Sequence, residues 1–170
     1  GASSAWIGIE NNKPDAIAAM NKAVSGINIR VAPLRVKYPQ GAEKQLINAI
    51  TGREVPSGGL PMDVGCVVEN VGTTYAVWDA VVNGRPLVAR AVTVSGDAVA
   101  APANLLAPVG TPFAALAEAC GGVKGTLAKV VSGGPMMGFA QAGLDVAMTK
   151  TSSGLLLLSP ARVRQFTSQP

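Results

Sequence analysis

The sequence predicts an α/β protein in which a partial parallel, Rossmann-like sheet is followed by a small β-grasp-like domain. Two observations support this prediction. Over residues 1–84, short apolar runs alternate with stretches of helical spacing, as in a parallel sheet covered by helices. Over residues 85–170 the chain is β-rich and has one short helix, which favours a small mixed sheet with that helix packed across it. The change at Asn83–Pro86 marks the predicted domain boundary.

The first half gives strand and helix signals in alternation. Pro14 stands at the first turn of a helix, where its missing N–H costs nothing, and Gly26 ends that helix. Glu43 begins a second helix, with apolar residues at helical spacing, that stops at Gly52. We predict strands at residues 5–9, 27–31 and 65–69 and helices at residues 15–24, 43–50 and 73–82.

The second half begins with a β-rich run that ends in the turn Ser95–Asp97. Thr111 is a good N-cap, with Pro112 at the first helical position, and Gly121 ends the short helix. Further strands are predicted on both sides of Gly133–Gly138. We predict strands at residues 87–94 and 104–109, a helix at residues 113–119, and later strands near Val146 and Leu155.

Composition and charge argue against several classes of protein. With 48% apolar and 14% charged residues the chain is globular, and its net charge of +4 is scattered, so no nucleic-acid partner is expected. The sequence has no histidine and no CxxC, so we expect no metal site, no catalytic triad and two buried free thiols. The longest apolar run, Gly154–Leu158, is too short to span a bilayer and no signal peptide is present, so this stretch of chain is expected to be soluble.

Polar groups follow the predicted parallel strands at the edge where ligands of open α/β sheets bind. They are Glu10 with Asn11, the segment Arg35–Gly41, and Glu69 with Asn70. A glycine just before a helix lets backbone N–H groups approach an anion or a flat ring closely. The segment from Tyr38 to Glu43 is therefore the leading candidate for a binding site.

Each of these residues also has an ordinary structural interpretation. Glu43 is a favourable first-turn acid on a helix dipole, Tyr38 could be a half-buried packing residue, and Asn70 could cap the helix that follows it. Gly133–Gly138 is a tight turn with two methionines that could pack against a neighbouring domain. Neither GxGxxG nor GxxxxGK[ST] occurs, so a nucleotide site on this sheet would lack a major part within these residues.

Six motifs carry a resemblance to a known family: Tyr38–Ile47, Thr51–Pro56, Gly59–Gly65, Val68–Thr73, Gly133–Gly138 and Thr149–Gly154. In this order, and over nearly the whole chain, they resemble the C subunit of Rnf-type electron-transport complexes. More distantly, the first half is similar to the flavin-bearing, NADH-oxidising subunit of complex I. The second half looks like the SLBB domain, a β-grasp module found in both.

The resemblance implies an NADH:acceptor oxidoreductase as the parent protein, with FMN and NADH as cofactors and 4Fe-4S clusters outside this chain. Its partners would be the other Rnf subunits, at the cytoplasmic face of the membrane, where electron flow is coupled to ion movement. Two alternatives stay open: a ligand-binding or docking module centred on the SLBB domain, and a related cobalamin reductase. The motif Gln40–Ile47 is closer to the Rnf protein than to that reductase.

The resemblance also implies which residues would bind the cofactors. Tyr38 and Gly41 match positions that line the flavin site of the complex I relative, Glu43 matches an acid beside the dinucleotide, and Asn70 matches an asparagine near the flavin. Glu69 stands where the relative has a second asparagine. Further departures are Leu60, in place of an aromatic that stacks on adenine, and Ala42, in place of an acid.

The family's glycine-rich phosphate loop is expected before Gly1 and its cluster-binding cysteines after Pro170. The chain therefore resembles a central fragment. Alone, it is expected neither to bind FMN tightly nor to oxidise NADH.

Overall fold

The computed structural model describes residues 1–164, and the chain divides into two compact units, Gly1–Glu69 and Asn70–Pro170. Both an open parallel sheet and a mixed sheet with a helix are present, as the sequence predicts. These structural units divide between Glu69 and Asn70, and the domain boundary predicted at residue 84 stays a prediction. Residues 165–170 of the predicted second domain lie outside the described residues.

The first unit is built on two parallel strands. They pair in register from Ala5 with Ile29 to Glu10 with Leu34, so β2 begins two residues later than predicted. Gly52 ends α2 in the left-handed conformation at φ 71°, which explains why a glycine is needed there. The elements are β1 (Ala5–Glu10), α1 (Pro14–Ala23), β2 (Ile29–Leu34), α2 (Glu43–Thr51) and a 3₁₀ turn (Pro61–Val64).

Helix α2 packs directly on the strand pair. A Cβ built on Gly8 would fall 2.8 Å from the Leu46 Cδ1 and 2.9 Å from the Leu34 Cδ1, so leucine side chains from α2 and β2 pack closely over this glycine of β1. Ile47 of α2 is the one fully buried apolar residue among the described residues of this unit. The first unit therefore has a sheet and helices but very little core of its own.

The strand predicted at residues 65–69 is wrong. The structure has a turn at Gly65 and irregular backbone to Glu69, with no strand partner among the described residues. The residue just before this segment is held by Arg53, whose guanidinium donates to the Val64 carbonyl at 2.7 Å. An apolar run becomes a strand only where a neighbouring strand can take its hydrogen bonds.

The second unit contains a five-stranded mixed sheet in the order β4-β3-β7-β5-β6. Strands β3 and β7 are parallel, and the other neighbours in the sheet are antiparallel. This order places β7 in the centre and leaves the short β6 at one edge. The elements are α3 (Val71–Asn83), β3 (Ala89–Ser95), β4 (Ala103–Pro108), α4 (Phe113–Ala119), β5 (Lys129–Ser132), β6 (Phe139–Gln141), β7 (Gly154–Leu158) and a 3₁₀ turn (Pro160–Arg162).

Helix α4 covers the sheet and closes a core of thirteen buried residues. Phe113, Leu116 and Ala117 face inward from the helix, while Leu155 and Leu157 face inward from β7. The remaining core residues are Val92, Val94, Ala98, Val99, Ala107, Cys120, Val130 and Met148. The predicted helix at residues 113–119 is confirmed in full.

Two predictions for the second unit are wrong in detail. Thr111 does not cap α4: Pro112 takes the N-cap position, and the Thr111 hydroxyl donates to the Pro108 carbonyl at 2.7 Å instead. Near Val146 there is no strand, only an isolated bridge between Pro112 and Ala147. In both places the backbone groups between β4 and α4 form hydrogen bonds with the segment that ends at Met148. Sequence periodicity cannot reveal such pairing between distant segments.

Candidate functional site

The predicted segment from Tyr38 to Glu43 forms the turn that leads from β2 into α2. Tyr38 is 59% exposed, so it is not the half-buried packing residue of the ordinary interpretation. Gln40 is the buried member of the turn, at 5% exposure, and its N–H donates to the Lys37 carbonyl. A Cβ built on Gly41 would meet nothing within 4 Å, so the backbone there faces open space. The turn therefore presents an aromatic ring and accessible backbone together.

Helix α2 starts without a side-chain cap. Ala42 is the N-cap residue and makes no side-chain hydrogen bond, so no cap side chain competes for the first N–H groups of the helix. Glu43, the first residue of α2, is exposed and lies in the first turn, where its charge favours the helix dipole. A carboxylate in this position can stabilise the helix and still accept hydrogen bonds from a ligand.

The other predicted residues fall where the first unit ends and the second begins. Glu69 is exposed and is the last residue of the first unit, and Asn70 is the first residue of the second. The Asn70 Oδ1 accepts a hydrogen bond from the Gly72 N–H at 2.9 Å and caps α3, which confirms the capping interpretation. The structure thus brings Tyr38, Gly41 and Glu43 together in one turn.

Two charged groups near the sheet have structural partners. Glu10 forms an ion pair with Lys13 at 2.6 Å, just after β1. Arg30 stacks over the ring of Trp6 at 5.1 Å from its centroid, on the neighbouring strand. These contacts account for Glu10 and Arg30 without a ligand.

Arg90 in β3 is a charged residue that the sequence reasoning missed. Its Nη1 donates to the Lys150 carbonyl, and its Nη2 lies 3.4 Å from the position that a Cβ on Gly72 would take. Arg90 therefore contacts the first turn of α3, beside Asn70. The available signal was that Arg90 is the one charged residue in the predicted strand 87–94.

The Gly133–Gly138 turn borders a shallow cleft of about 380 Å³ in the second unit. Met137 and Phe139 are 75% and 76% exposed at its rim. The Thr149 and Ser152 side chains, also at the cleft, are hydrogen bonded within their own turn, since the Ser152 hydroxyl accepts from the Thr149 N–H at 2.9 Å. The cleft is a second surface that could take a ligand or a partner.

The described part of the chain offers no group of three or more histidine, cysteine or acidic residues that could hold a metal ion. Cys66 and Cys120 are free cysteines, and Cys120 is buried, as predicted, whereas Cys66 is only partly buried. Among residues 1–164, no helix combines the length and apolar character needed to cross a bilayer.

Comparison with family models identifies two domains in the chain. Residues 1–79 match the Nuo51 FMN-binding domain, and residues 91–140 match the SLBB domain. The turn from Tyr38 to Glu43, Glu69 and Asn70 all fall within the first match. The cleft beside Gly133 is formed partly by the second.

Known proteins are similar to this chain over about nine tenths of its length. The chain is 57% identical to the C subunit of the proton-translocating ferredoxin:NAD(+) oxidoreductase complex of Clostridium ljungdahlii, covering 91% of this chain and 34% of that protein. It is 48% identical to the Na(+)-translocating counterpart of Acetobacterium woodii, covering 94% and 36%. It is 49% identical to the C subunit of the ion-translocating oxidoreductase complex of Pseudomonas aeruginosa, covering 88% and 19%. The chain thus spans roughly a third or less of the length of these relatives.

Proposed function

The chain is homologous to the C subunits of ion-translocating ferredoxin:NAD(+) oxidoreductase complexes, and from this relationship we propose that it is the part of such a subunit that binds FMN and NADH. The flavin, when bound, supplies the redox chemistry, taking a hydride from NADH and releasing electrons towards iron–sulfur clusters elsewhere in the protein. The residues of this chain bind and orient the two nucleotides. The partners would be the other subunits of the complex, with this protein peripheral at the cytoplasmic face of the membrane.

The observation that carries the proposal is the turn from Tyr38 to Glu43, which lies in a matched FMN-binding domain. An exposed aromatic ring, backbone open to close approach at Gly41 and an uncapped helix start suit a flat, anionic cofactor. These features serve no packing role in the described part of the unit. The residues present therefore fit the group that the family binds.

Each residue has a defined task in this proposal. Tyr38 lies against the flavin, Gly41 lets the backbone approach it, and Glu43 accepts hydrogen bonds from the ribose or carboxamide of NADH. Asn70 donates its free amide N–H groups to the flavin, because its oxygen is used by the helix cap. Glu69, beside it, is assigned to the same surface.

The proposal is tested with the full-length protein, carrying the Glu43→Gln substitution. Loss of a charge-assisted hydrogen bond to the ribose should raise the KM for NADH about tenfold, since about 1.4 kcal/mol corresponds to a factor of ten. FMN content should stay unchanged, because Glu43 is assigned to the dinucleotide. Flavin absorbance and steady-state NADH oxidation with an artificial acceptor measure the two effects.

Glu54→Gln is the matched control, because it removes the same charge from the exposed loop that follows α2. It should leave both KM and FMN content at the wild-type values. Equal KM values for NADH in the Glu43→Gln and Glu54→Gln variants would show that Glu43 does not bind the dinucleotide. A full-length protein that binds no FMN would overturn the redox assignment.

A second candidate function is favoured by the cleft beside Gly133. Its exposed Met137 and Phe139 suit a docking or ligand-binding role for the SLBB domain. This role becomes the better account if the full-length protein binds neither FMN nor NADH.

A further inference from the structure

The Arg90 side chain lies against the turn that carries Asn70. One arm of its guanidinium donates to the Lys150 carbonyl, and the other lies next to Gly72, whose N–H donates to Asn70 Oδ1 at 2.9 Å. A Cβ at Gly72 would stand 3.1 Å from that oxygen and 3.4 Å from the guanidinium. The three residues therefore lie close together, with the guanidinium beside the start of α3.

The charge of Arg90 is not neutralised by the protein around it. Within residues 1–164 the structure records a single ion pair, which is Lys13 with Glu10 in the other unit. Arg90 is also partly buried, so water screens its charge less than that of a freely exposed side chain. A hydrogen bond to a carbonyl needs no charge, so that contact alone does not explain an arginine.

We propose that Arg90 is a further residue of the flavin site, where its guanidinium faces an anionic group of the cofactor next to Asn70. The inference rests on the proposed function, since it takes Asn70 to be a flavin ligand. The anionic group is either the FMN phosphate or the flavin ring, which gains negative charge on reduction. In both cases a fixed positive charge strengthens binding through a charge-assisted contact.

The test compares three variants of the full-length protein. Arg90→Gln keeps a donor for the Lys150 carbonyl and removes the charge. Arg90→Lys keeps the charge and loses the planar fork. Arg85→Gln removes the same charge from an exposed residue that precedes β3 and serves as the control. Dissociation constants for FMN and riboflavin, the reduction potential of the bound flavin and the unfolding midpoint are measured for each.

Arg90→Gln should weaken FMN binding at least tenfold, and Arg85→Gln should bind FMN like the wild type. If the phosphate is the anion, riboflavin affinity should be unaffected by Arg90→Gln. If the ring is the anion, FMN and riboflavin affinities should both fall and the bound flavin should become harder to reduce. Arg90→Lys should bind FMN about threefold more weakly than the wild type, because it keeps the charge without the fork.

Unchanged flavin affinity and potential in Arg90→Gln, with or without a lower unfolding midpoint, would overturn the inference and leave Arg90 a structural residue. Should Arg90→Gln fail to fold, Arg90→Lys decides, and FMN affinity equal to the wild type overturns the inference. A wild-type protein that binds no flavin would overturn the proposed function and this inference with it. If the wild-type protein binds FMN and the Arg90 variants bind it with the same affinity, only this inference is overturned and the proposed function stands.

Discussion

The Asn70 side-chain amide caps α3, and an amide can do this and donate to a ligand at the same time. Its Oδ1 accepts the Gly72 N–H at 2.9 Å and satisfies one of the free donors at the start of α3. An amide also carries an NH₂ group with two donors, which the cap does not use. The cap accounts for an acceptor at this position, and serine or aspartate would supply one equally well. A donor is needed only if a ligand is recognised there.

Asn70→Asp and Asn70→Ala separate the cap from the donor. In the isolated chain, Asn70→Ala should lower the free energy of unfolding by about 1 kcal/mol, because the cap is lost. Asn70→Asp keeps the acceptor, so its stability should match the wild type within about 0.5 kcal/mol. In the full-length protein both variants should bind FMN more weakly. Urea unfolding and flavin titration measure the two effects, and wild-type FMN affinity in Asn70→Asp would exclude the donor role.

At the scale of elements, the turn after β3 contacts the parallel neighbouring strand β7 and stabilises the pairing of the two strands. Gly96 has φ 116°, and a Cβ there would overlap the carbonyl group of Leu157 in β7. The neighbouring Asp97 carboxylate accepts hydrogen bonds from the hydroxyl and the N–H of Ser159, which lower the pKa of Asp97 below its ordinary value of 3.8. The turn is thus fixed to β7 by a close backbone approach on one side and a carboxylate on the other.

Gly96→Ala should therefore be far more damaging than an ordinary change in a turn. The new methyl group meets the backbone of the central strand and cannot be accommodated by a side-chain movement, so we expect a loss of about 3 kcal/mol or more. Gly125→Ala is the matched control, because Gly125 has φ 72° with nothing within 4 Å of a Cβ, and should cost only about 1 kcal/mol. Thermal or urea unfolding measures both. Equal losses would mean that backbone conformation alone, without the contact to β7, sets the cost.

Over the molecule as a whole, sequence patterns predicted the elements that depend mainly on residues close together in the chain. Helix α4 ends close to Gly121, which adopts the left-handed conformation at φ 81°, as the glycine signal predicts, whereas Pro112 is its N-cap and not its first helical residue. Residues 65–69 carry an equally clear apolar pattern, but a strand also needs a neighbouring strand, which a local pattern does not encode. Arg90 was missed for the same reason, since its importance arises from contacts with Gly72 and Lys150, 18 and 60 residues away in the chain.

The two units should differ sharply in their ability to fold alone. The second buries thirteen residues in one core, each large apolar side chain contributing about 1.5–3 kcal/mol, and this can offset the entropy of ordering a small domain. The first buries fully only Ile47 among its apolar side chains, under a two-stranded parallel sheet, a type of sheet that needs cover on both faces. We therefore expect residues 70–164 to unfold cooperatively in urea and residues 1–69 to show no cooperative transition.

Leu157→Ala, which opens a cavity in the core of the second unit, should shift the transition of residues 70–164 by about 3 kcal/mol. Leu156→Ala, at a less buried position of the same strand, should cost clearly less and serves as its control. Circular dichroism and tryptophan fluorescence followed through the same titration test for two-state behaviour. Cooperative unfolding of residues 1–69 alone would contradict this account, because it would require a core that the described contacts do not supply. It would also mean that the turn from Tyr38 to Glu43 needs no further chain to hold its shape.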